Sequence, residues 1–372
     1  ETSGLAFHED AVAGRAARQG LRSASGFCKV ETRTTSPSMA EERGATMRLD
    51  VSSAEVMSQI SQWIPADDRV VLEPEEETSG FWAGCPGIFD DGARTLISFR
   101  RRRPRGLSAE RGWQCGVGEL VEEDGGFRVI EKWLVHKDQL ATASMERFAL
   151  IRQGNVFELY LSYVDPADDR WRVDIVRSDS LEGFDVEQRI NLFTADNTGT
   201  EGVKDPFIYT SGDTQFMFLS VALADEISDV SAAHGTQDIF NTSHASSATG
   251  LATRKRGGGW EYEGTVFQPD DVNAWDANTR RINSVIGVSD GYLAFYDGKR
   301  SHEDNYEELT GMAFSSDLRH WASLSPDAPV VTSQSETGSL RYVDYRIRGN
   351  DLDLIYEATR SDGAHEARIH TF

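Results

Sequence analysis

Lysine and cysteine are scarce in this 372-residue chain, and each scarcity excludes something. Only six of the 38 cationic residues are lysine, and 61 acidic residues outweigh them to a formal charge of −23. Binding a polyanion requires a positive face, so a nucleic-acid partner is excluded. Acid excess with little lysine fits a halophilic protein that holds its hydration where 1 M salt shrinks the Debye length to about 3 Å. An ordinary acidic soluble protein carries the same sign of charge, and both readings stand. Three cysteines, Cys28, Cys85 and Cys115, are too few for a disulfide framework and leave one unpaired, which points to a reducing, cytoplasmic compartment. No run approaches the roughly 18 apolar residues of a membrane span, so a membrane is not expected as a partner. Residues 1–46 lack the apolar core of a secretory signal. Rich in Ala, Arg, Ser and Thr, with Met39 and Met47 as candidate starts, they read as a disordered or non-native leader before a single domain over 47–372.

What the chain does contain is a repeat. A short polar or proline-containing signature, an apolar strand, a Gly- or Asp-containing turn and an aromatic-rich strand return five times. The copies begin at Cys85-Pro86-Gly87, Glu146-Arg147-Phe148, Asp205-Pro206-Phe207, Asn283-Ser284-Val285 and Val343-Asp344-Tyr345. Markers at 86, 147, 206, 284 and 343 are 61, 59, 78 and 59 residues apart. A period near sixty with strands in each unit describes small sheets arrayed about an axis, and five units predict an all-β fold, a five-bladed β-propeller. Val56, Ile60 and Ile64 predict a short N-terminal amphipathic helix on its outside. The apolar stretch 69–72 reads as the strand that completes the short last blade, because a closed ring leaves only short, protected edges. Third strands at 172–179 and 311–317 both end in Ser-Asp, predicting a turn fixed by those side chains, with Trp321 packed over the sheet. The longest interval holds a polar stretch, 222–247, whose His234, Asp238 and His244 match no metal-ligand spacing.

In such an array the first strand of each unit lines a central channel, and the signatures meet at one end of it. Two signatures carry acids, Glu146 and Asp205, each beside a cation, Arg147 and Lys204. A carboxylate flanked by a cation stays ionised, whereas one in apolar surroundings has its pKa raised and donates a proton. Adjacent strand residues point to opposite faces, so each acid is expected to diverge from its cation unless the strand start is irregular. Arg100 to Arg103, Arg105, Arg111, Arg300, Arg341 and Arg360 recur at comparable places in the units. Such forks bind carboxylate or phosphate, although pairing with acids of neighbouring blades accounts for them equally well. Most aromatics near the strand starts read as packing between blades; Trp82 and Tyr296, with polar or glycine neighbours, are the candidates for exposed faces that stack on a sugar ring.

The segment Lys204-Asp205-Pro206-Phe207-Ile208 resembles the Asp-Pro strand starts of the five-bladed propeller glycoside hydrolases and phosphorylases, the superfamily of families 32, 43, 62, 68 and 130. The segment Ser315-Ser316-Asp317-Leu318-Arg319-His320-Trp321 resembles the Ser-x-Asp-Leu-x-x-Trp turn of that group. The resemblance spans residues 78–372 and specifies a fold better than a substrate. It has one departure: Cys85 stands where families 32 and 43 present their first-blade Asp, so their usual nucleophile or base is absent from its place. Asp90 and Asp91, just before Gly92, read as turn residues, and nothing near Cys85 in sequence lowers its pKa for attack. The resemblance implies a glycoside hydrolase acting on a small carbohydrate, since two carboxylates cleave a glycosidic bond. It assigns Asp205 and Glu146 as the catalytic pair and Asp297 as a third carboxylate, with Glu201 in reach from a loop. Substrate binding falls to Trp82, Arg100, Arg103, Arg147, Lys204, Tyr296, Arg300, Arg341, Tyr342, Glu357, Arg360 and His365. The alternatives are a phosphorylase using inorganic phosphate and a non-catalytic carbohydrate-binding propeller. This chemistry needs no cofactor and no metal, and it leaves room for a structural Ca²⁺ that no spacing demands.

Overall fold

Runs rich in Val, Ile, Phe and Tyr, separated by Gly- and Asp-containing turns, form antiparallel strands in consecutive sets of four. The computed structural model describes residues 48–104, 111–224, 230–304, 306–349 and 351–372; the leader, Cys28 and Arg105 lie outside the described residues. Strand β1 (Arg69–Leu72) precedes the sets. The first set is β2 (Trp82–Asp90), β3 (Thr95–Arg102), β4 (Gln114–Glu123) and β5 (Gly126–His136). The second is β6 (Ala149–Gln153), β7 (Val156–Val164), β8 (Trp171–Ser178) and β9 (Ile190–Phe193). The third is β10 (Gly202–Ser211), β11 (Thr214–Ala224), β12 (Ala245–Lys255) and β13 (Glu261–Phe267). The fourth is β14 (Thr279–Val288), β15 (Gly291–Lys299), β16 (Leu309–Ser315) and β17 (Ala322–Ser323). Last come β18 (Leu340–Arg348), β19 (Asp351–Thr359) and β20 (His365–Thr371).

The last three strands gain their fourth from the start of the chain: β1 pairs antiparallel with β20, Arg69 opposite Ile369 and Leu72 opposite Ala367. Single parallel contacts, Trp82 with His365 and Ser247 with Thr279, join neighbouring sets so that the strands fall into three sheets. The first strands touch in the order β2, β6, β10, β14, β18 and back to β2. Apolar faces pack between successive sets, with Val117, Leu159 and Val176 in one layer, Ile175, Met217 and Leu219 in the next, and Ile97, Ile355 and Ile369 in another. Burying each such side chain contributes about 1.5–3 kcal/mol.

Helix α1 (Ser53–Ile60) begins with a capping box in which Ser52 and Glu55 satisfy each other's backbone N–H groups. Its Val56 and Ile60 are buried, and Ser53 Oγ donates to Asp290 Oδ2 at 2.7 Å. Ile64 is 59% exposed, contrary to the apolar pattern, because the helix ends four residues earlier and Trp63 takes the buried position instead. The Ser-Asp turn forms as expected: Ser315 Oγ accepts from the N–H of Leu318 at 2.9 Å, and Asp317 Oδ1 accepts from those of Arg319 and His320 at 2.9 Å. Trp321 lies edge-on to Phe218, ring centroids 5.8 Å apart. Asp91 is a turn residue too, its Oδ1 taking the N–H groups of Ala93 and Arg94.

Within the fourth set, a glycine on one strand makes room for an aromatic ring directly opposite on the next. A Cβ at Gly311 in β16 would lie 2.3 Å from the ring of Tyr296. Since overpacking a core costs about 1–3 kcal/mol, Gly311→Ala is expected to lose about that much stability, read as a lower urea midpoint with no change in slope.

Candidate active site

All five signatures share a defect in their strand ladders. Gly84 pairs with Arg100 but Gly87 pairs with Ser98, so β2 carries one extra residue between them. The same surplus appears between Lys204 and Phe207, between Ile282 and Ser284, and between Arg341 and Asp344. In the second set Met145 pairs with Tyr163 and Ala149 with Tyr160, again one residue too many. Such a bulge bends a strand and re-aims a side chain. At three of them Cys85, Asp205 and Tyr342 adopt φ of 51°, 53° and 53°, a left-handed backbone that costs a non-glycine residue about 1–3 kcal/mol.

Re-aiming has a direct electrostatic result. Lys204 and Asp205, adjacent on a strand and so expected to diverge, meet instead: Lys204 Nζ lies 3.6 Å from Asp205 Oδ2 and 3.5 Å from Glu146 Oε2. Glu146 also pairs with Arg100 and accepts from the Tyr342 hydroxyl at 3.2 Å, with the Cys85 thiol 3.7 Å away. Asp205 Oδ1 accepts the backbone N–H of Arg147 at 3.2 Å, while the buried Oδ2 has no hydrogen-bond donor and lies 3.8 Å from Arg281. Asp297 Oδ1 takes donors from Asn283 and the Tyr342 backbone at 2.5 and 3.0 Å, and Arg281 lies 3.4 Å from its Oδ2. Burial pushes the Asp297 carboxyl up to about 7, the Arg281 guanidinium opposing and the Glu308 charge adding to the rise.

Glu357 closes the far side of the cluster. Its Oε1 accepts two N–H groups of Arg341 at 3.0 and 2.7 Å and faces His365 Nδ1 at 2.8 Å, and its Oε2 accepts the Cys85 N–H at 2.8 Å. Burial opposes its ionisation, but Arg341, His365 and Arg100 together hold the carboxyl well below the usual range. Burial pushes the Cys85 thiol up despite nearby Arg100, so it remains protonated and supplies no nucleophile. Glu308 bridges Arg281, at 2.8 Å, and Arg341.

Not every residue singled out in the sequence reaches this cluster. Trp82 is buried rather than exposed: it stacks on His365 at 4.0 Å, with Arg102 3.8 Å over its ring. Tyr296 is also buried rather than exposed, its hydroxyl donating to Asp276 at 2.7 Å and its ring stacked on Trp275. Both corrections have one cause, since folding brings bulky side chains over rings whose sequence neighbours are small or polar: His365 of the last set over Trp82, and Trp275 with Phe267 of the third set against Tyr296. Arg103 pairs with Glu75, Arg300 donates to the Asn273 carbonyl, and Arg360 bridges Glu77, Asp362 and Glu366, all outside the cluster. Arg147 is engaged elsewhere, donating to Asp344 and the Asn283 carbonyl at 2.6 Å and lining a 40 Å³ cavity. Glu201 binds His234 at 2.8 Å and stays outside. Asp238 is taken by Arg111 at 2.7 Å.

Sequence reasoning missed Arg281, Asn283 and Glu308 as members. Arg281 had a signal: a cation stands just ahead of the bulge in three sets, as Lys204, Arg281 and Arg341. Glu308 sits at the edge of β16 with no such pattern.

A cavity of about 480 Å³ adjoins the cluster, lined by Arg102, Asp238, Tyr306, Ser79, Asn241 and Thr242 among others. Tyr306 links the two, its carbonyl accepting from Arg341 at 2.5 Å. Neither Glu146 nor Asp205 lines this cavity, whereas the sequence suggested an open pocket that both would face. The reason is the number of cations carried in with the acids: paired with Arg100, Lys204 and Arg281, the carboxylates are stable with little exposure, 8% for Glu146 and 2% for Asp205.

The raised Asp297 carboxyl gives a pH signature. Between its ordinary value of 3.8 and about 7 the folded protein holds a proton there that the unfolded chain releases. Its contribution to stability is therefore greatest at low pH and is lost as pH rises through that window. Asp297→Asn, which keeps an acceptor for Asn283, is expected to gain stability relative to the parent between pH 5 and pH 8, measured by urea unfolding at each pH.

No protein-family model and no curated protein matches the chain. Among solved structures it is similar to a glycoside hydrolase at 12% identity and a TM-score of 0.62, covering 86% of this chain and 95% of that one. It is also similar to a thermostable family-43 glycoside hydrolase, at 14% identity and TM-score 0.54 over 81% and 91% of the two chains. A family-43 enzyme from Xanthomonas citri aligns at 12% identity and TM-score 0.52, over 85% and 92%. At such identities the likeness is one of fold, and the mostly β architecture of this chain is that of solved glycoside hydrolases.

Proposed function

We propose that this protein is a glycoside hydrolase built as a five-bladed β-propeller, with Glu146 and Asp205 as its carboxylate pair. One observation carries the proposal: the single Lys204 ammonium lies within 3.6 Å of both carboxylates, so two acids from successive sets are held at one place. The ring is supported by the sets of four strands and by the cyclic contact of their first strands. The reaction class is supported by the solved structures of like fold, which are glycoside hydrolases.

Cleaving a glycosidic bond needs one carboxyl to protonate the leaving oxygen and another to attack or to activate water. Asp205 Oδ2, buried without a donor and flanked by two cations, is the oxygen with lone pairs to spare and suits the attacking or base role. Glu146, the more exposed of the two, is held ionised by Arg100, Lys204 and the Tyr342 hydroxyl it accepts from, so it takes the proton-delivering role only when substrate displaces those cations and the carboxyl is protonated. Asp297, joined to Asp205 through Arg281, is protonated below about pH 7 and adjusts the charge beside the pair. Substrate approaches from the 480 Å³ cavity, and reaching the acids requires the Tyr306–Arg341 contact to open.

Screening aryl glycosides and oligosaccharides, at low and molar salt and with phosphate present or withheld, tests the reading. The expected result is reducing sugar released without phosphate. A product formed only with phosphate would replace water by phosphate as acceptor, and sugar binding with no turnover on any substrate would leave a binding protein.

A further inference from the structure

Eight arginines are buried among the described residues, and seven have a carboxylate within ion-pair distance: Glu146 for Arg100, Asp344 for Arg147, Glu158 for Arg254, Asp276 for Arg280, Glu308 for Arg281, Glu357 for Arg341 and Asp353 for Arg346. Arg102, 7% exposed, has none. Its Nε is buried without a hydrogen-bond partner, in a protein with 61 acidic residues to choose from. What holds it is packing: the guanidinium lies 3.8 Å over the Trp82 ring and 4.1 Å over that of Tyr306. Aromatic faces attract a cation without occupying the N–H groups at its edge. Arg102 lines the 480 Å³ cavity. Burial pushes its pKa down to about 10, the nearby Tyr306 opposing and Arg100, Arg111 and Arg341 adding to the fall.

We propose that Arg102 is a specificity-determining residue that receives the carboxylate of a uronic acid residue in this cavity. The inference rests on the hydrolase reading for its consequence, turnover of uronides, but not for the binding itself. A preordered planar fork matches a carboxylate with two parallel N–H···O bonds. Ser79, Asn241 and Thr242 add hydroxyl and amide groups to the wall, as a ligand bearing ring hydroxyls needs. The volume lies within the roughly 300–1,000 Å³ of small-ligand sites. Inorganic phosphate fits less well, because it would leave most of this space empty and bring a second negative charge towards Asp238, which also lines the cavity.

Calorimetric titration of the full chain with glucuronic and galacturonic acid, with glucose and galactose, and with inorganic phosphate tests the assignment. At least one uronate is expected to bind roughly 10-fold or more tightly than its neutral counterpart, the range of a charge-assisted hydrogen bond. Arg102→Gln should remove that preference and leave binding of the neutral sugar in place. Should the variant fail to fold, the difference between uronate and neutral sugar in the parent protein still decides the matter. A uronate that binds no better than its neutral counterpart, or phosphate that binds more tightly than both uronates, overturns the proposal. Hydrolysis of neutral glycosides with no uronate preference sinks this inference alone, whereas uronate binding with no turnover of any glycoside sinks the hydrolase reading alone.

Discussion

Asp205→Asn is expected to lower turnover by about three orders of magnitude, within the range found when a group that acts in the chemical step is removed. Asparagine keeps the size of the side chain and an oxygen that accepts the Arg147 N–H, so the bulge at β10 retains its internal bond. What it loses is the charge on the oxygen that has no donor of its own. Glu146→Gln is expected to fall comparably, since it removes the titratable proton while keeping an acceptor for the Tyr342 hydroxyl. Kinetics on the best substrate of the screen, with urea unfolding as a control for folding, provide the measurement. If both variants retained activity within tenfold of the parent at unchanged stability, the paired-carboxylate mechanism would be wrong.

Glu357→Gln is expected to cost about 3–5 kcal/mol of stability, the penalty for breaking a buried ion pair by removing one partner. Three groups depend on that carboxylate: Arg341, His365 and the Cys85 N–H, whose left-handed backbone it holds in place. The amide offers one oxygen where two are used and carries no charge to balance Arg341. The parent should show the corresponding acid sensitivity. With its folded pKa held below the ordinary 4.5, Glu357 contributes its full stabilisation above that value and loses it as pH falls. Urea midpoints at pH 7 for parent and variant test the magnitude. A loss below 1 kcal/mol would mean that the cluster relaxes around the missing charge.

Much of the fold was legible because it depends on local, repeated chemistry. The Gly and Asp turns, the apolar strands, the Ser315–Asp317 turn and the pairing of Arg69–Leu72 with the last strands follow from residue types at fixed intervals. Glu146 and Asp205 were legible as acids at equivalent places in the repeat. The direction of each side chain was less so. Strict alternation would have separated Lys204 from Asp205, and only the extra residue in β10, with φ of 53° at Asp205, brings both charges to one side.

Exposure was the least legible quantity. Trp82 and Tyr296 sit among small or polar neighbours, yet each is covered by a ring from outside its own strand, His365 for one and Trp275 for the other. Arginine behaved likewise: nothing in the run Arg100-Arg101-Arg102-Arg103 tells which one finds an acid, which reaches the surface and which is left facing a cavity. The sequence by itself determined the repeat, the strands and the acid content, because backbone propensity and turn chemistry act over a few residues. The tertiary structure alone decided which charges neutralise one another, because ion pairing depends on distances across strands that the chain brings together only when its ends and repeats have packed.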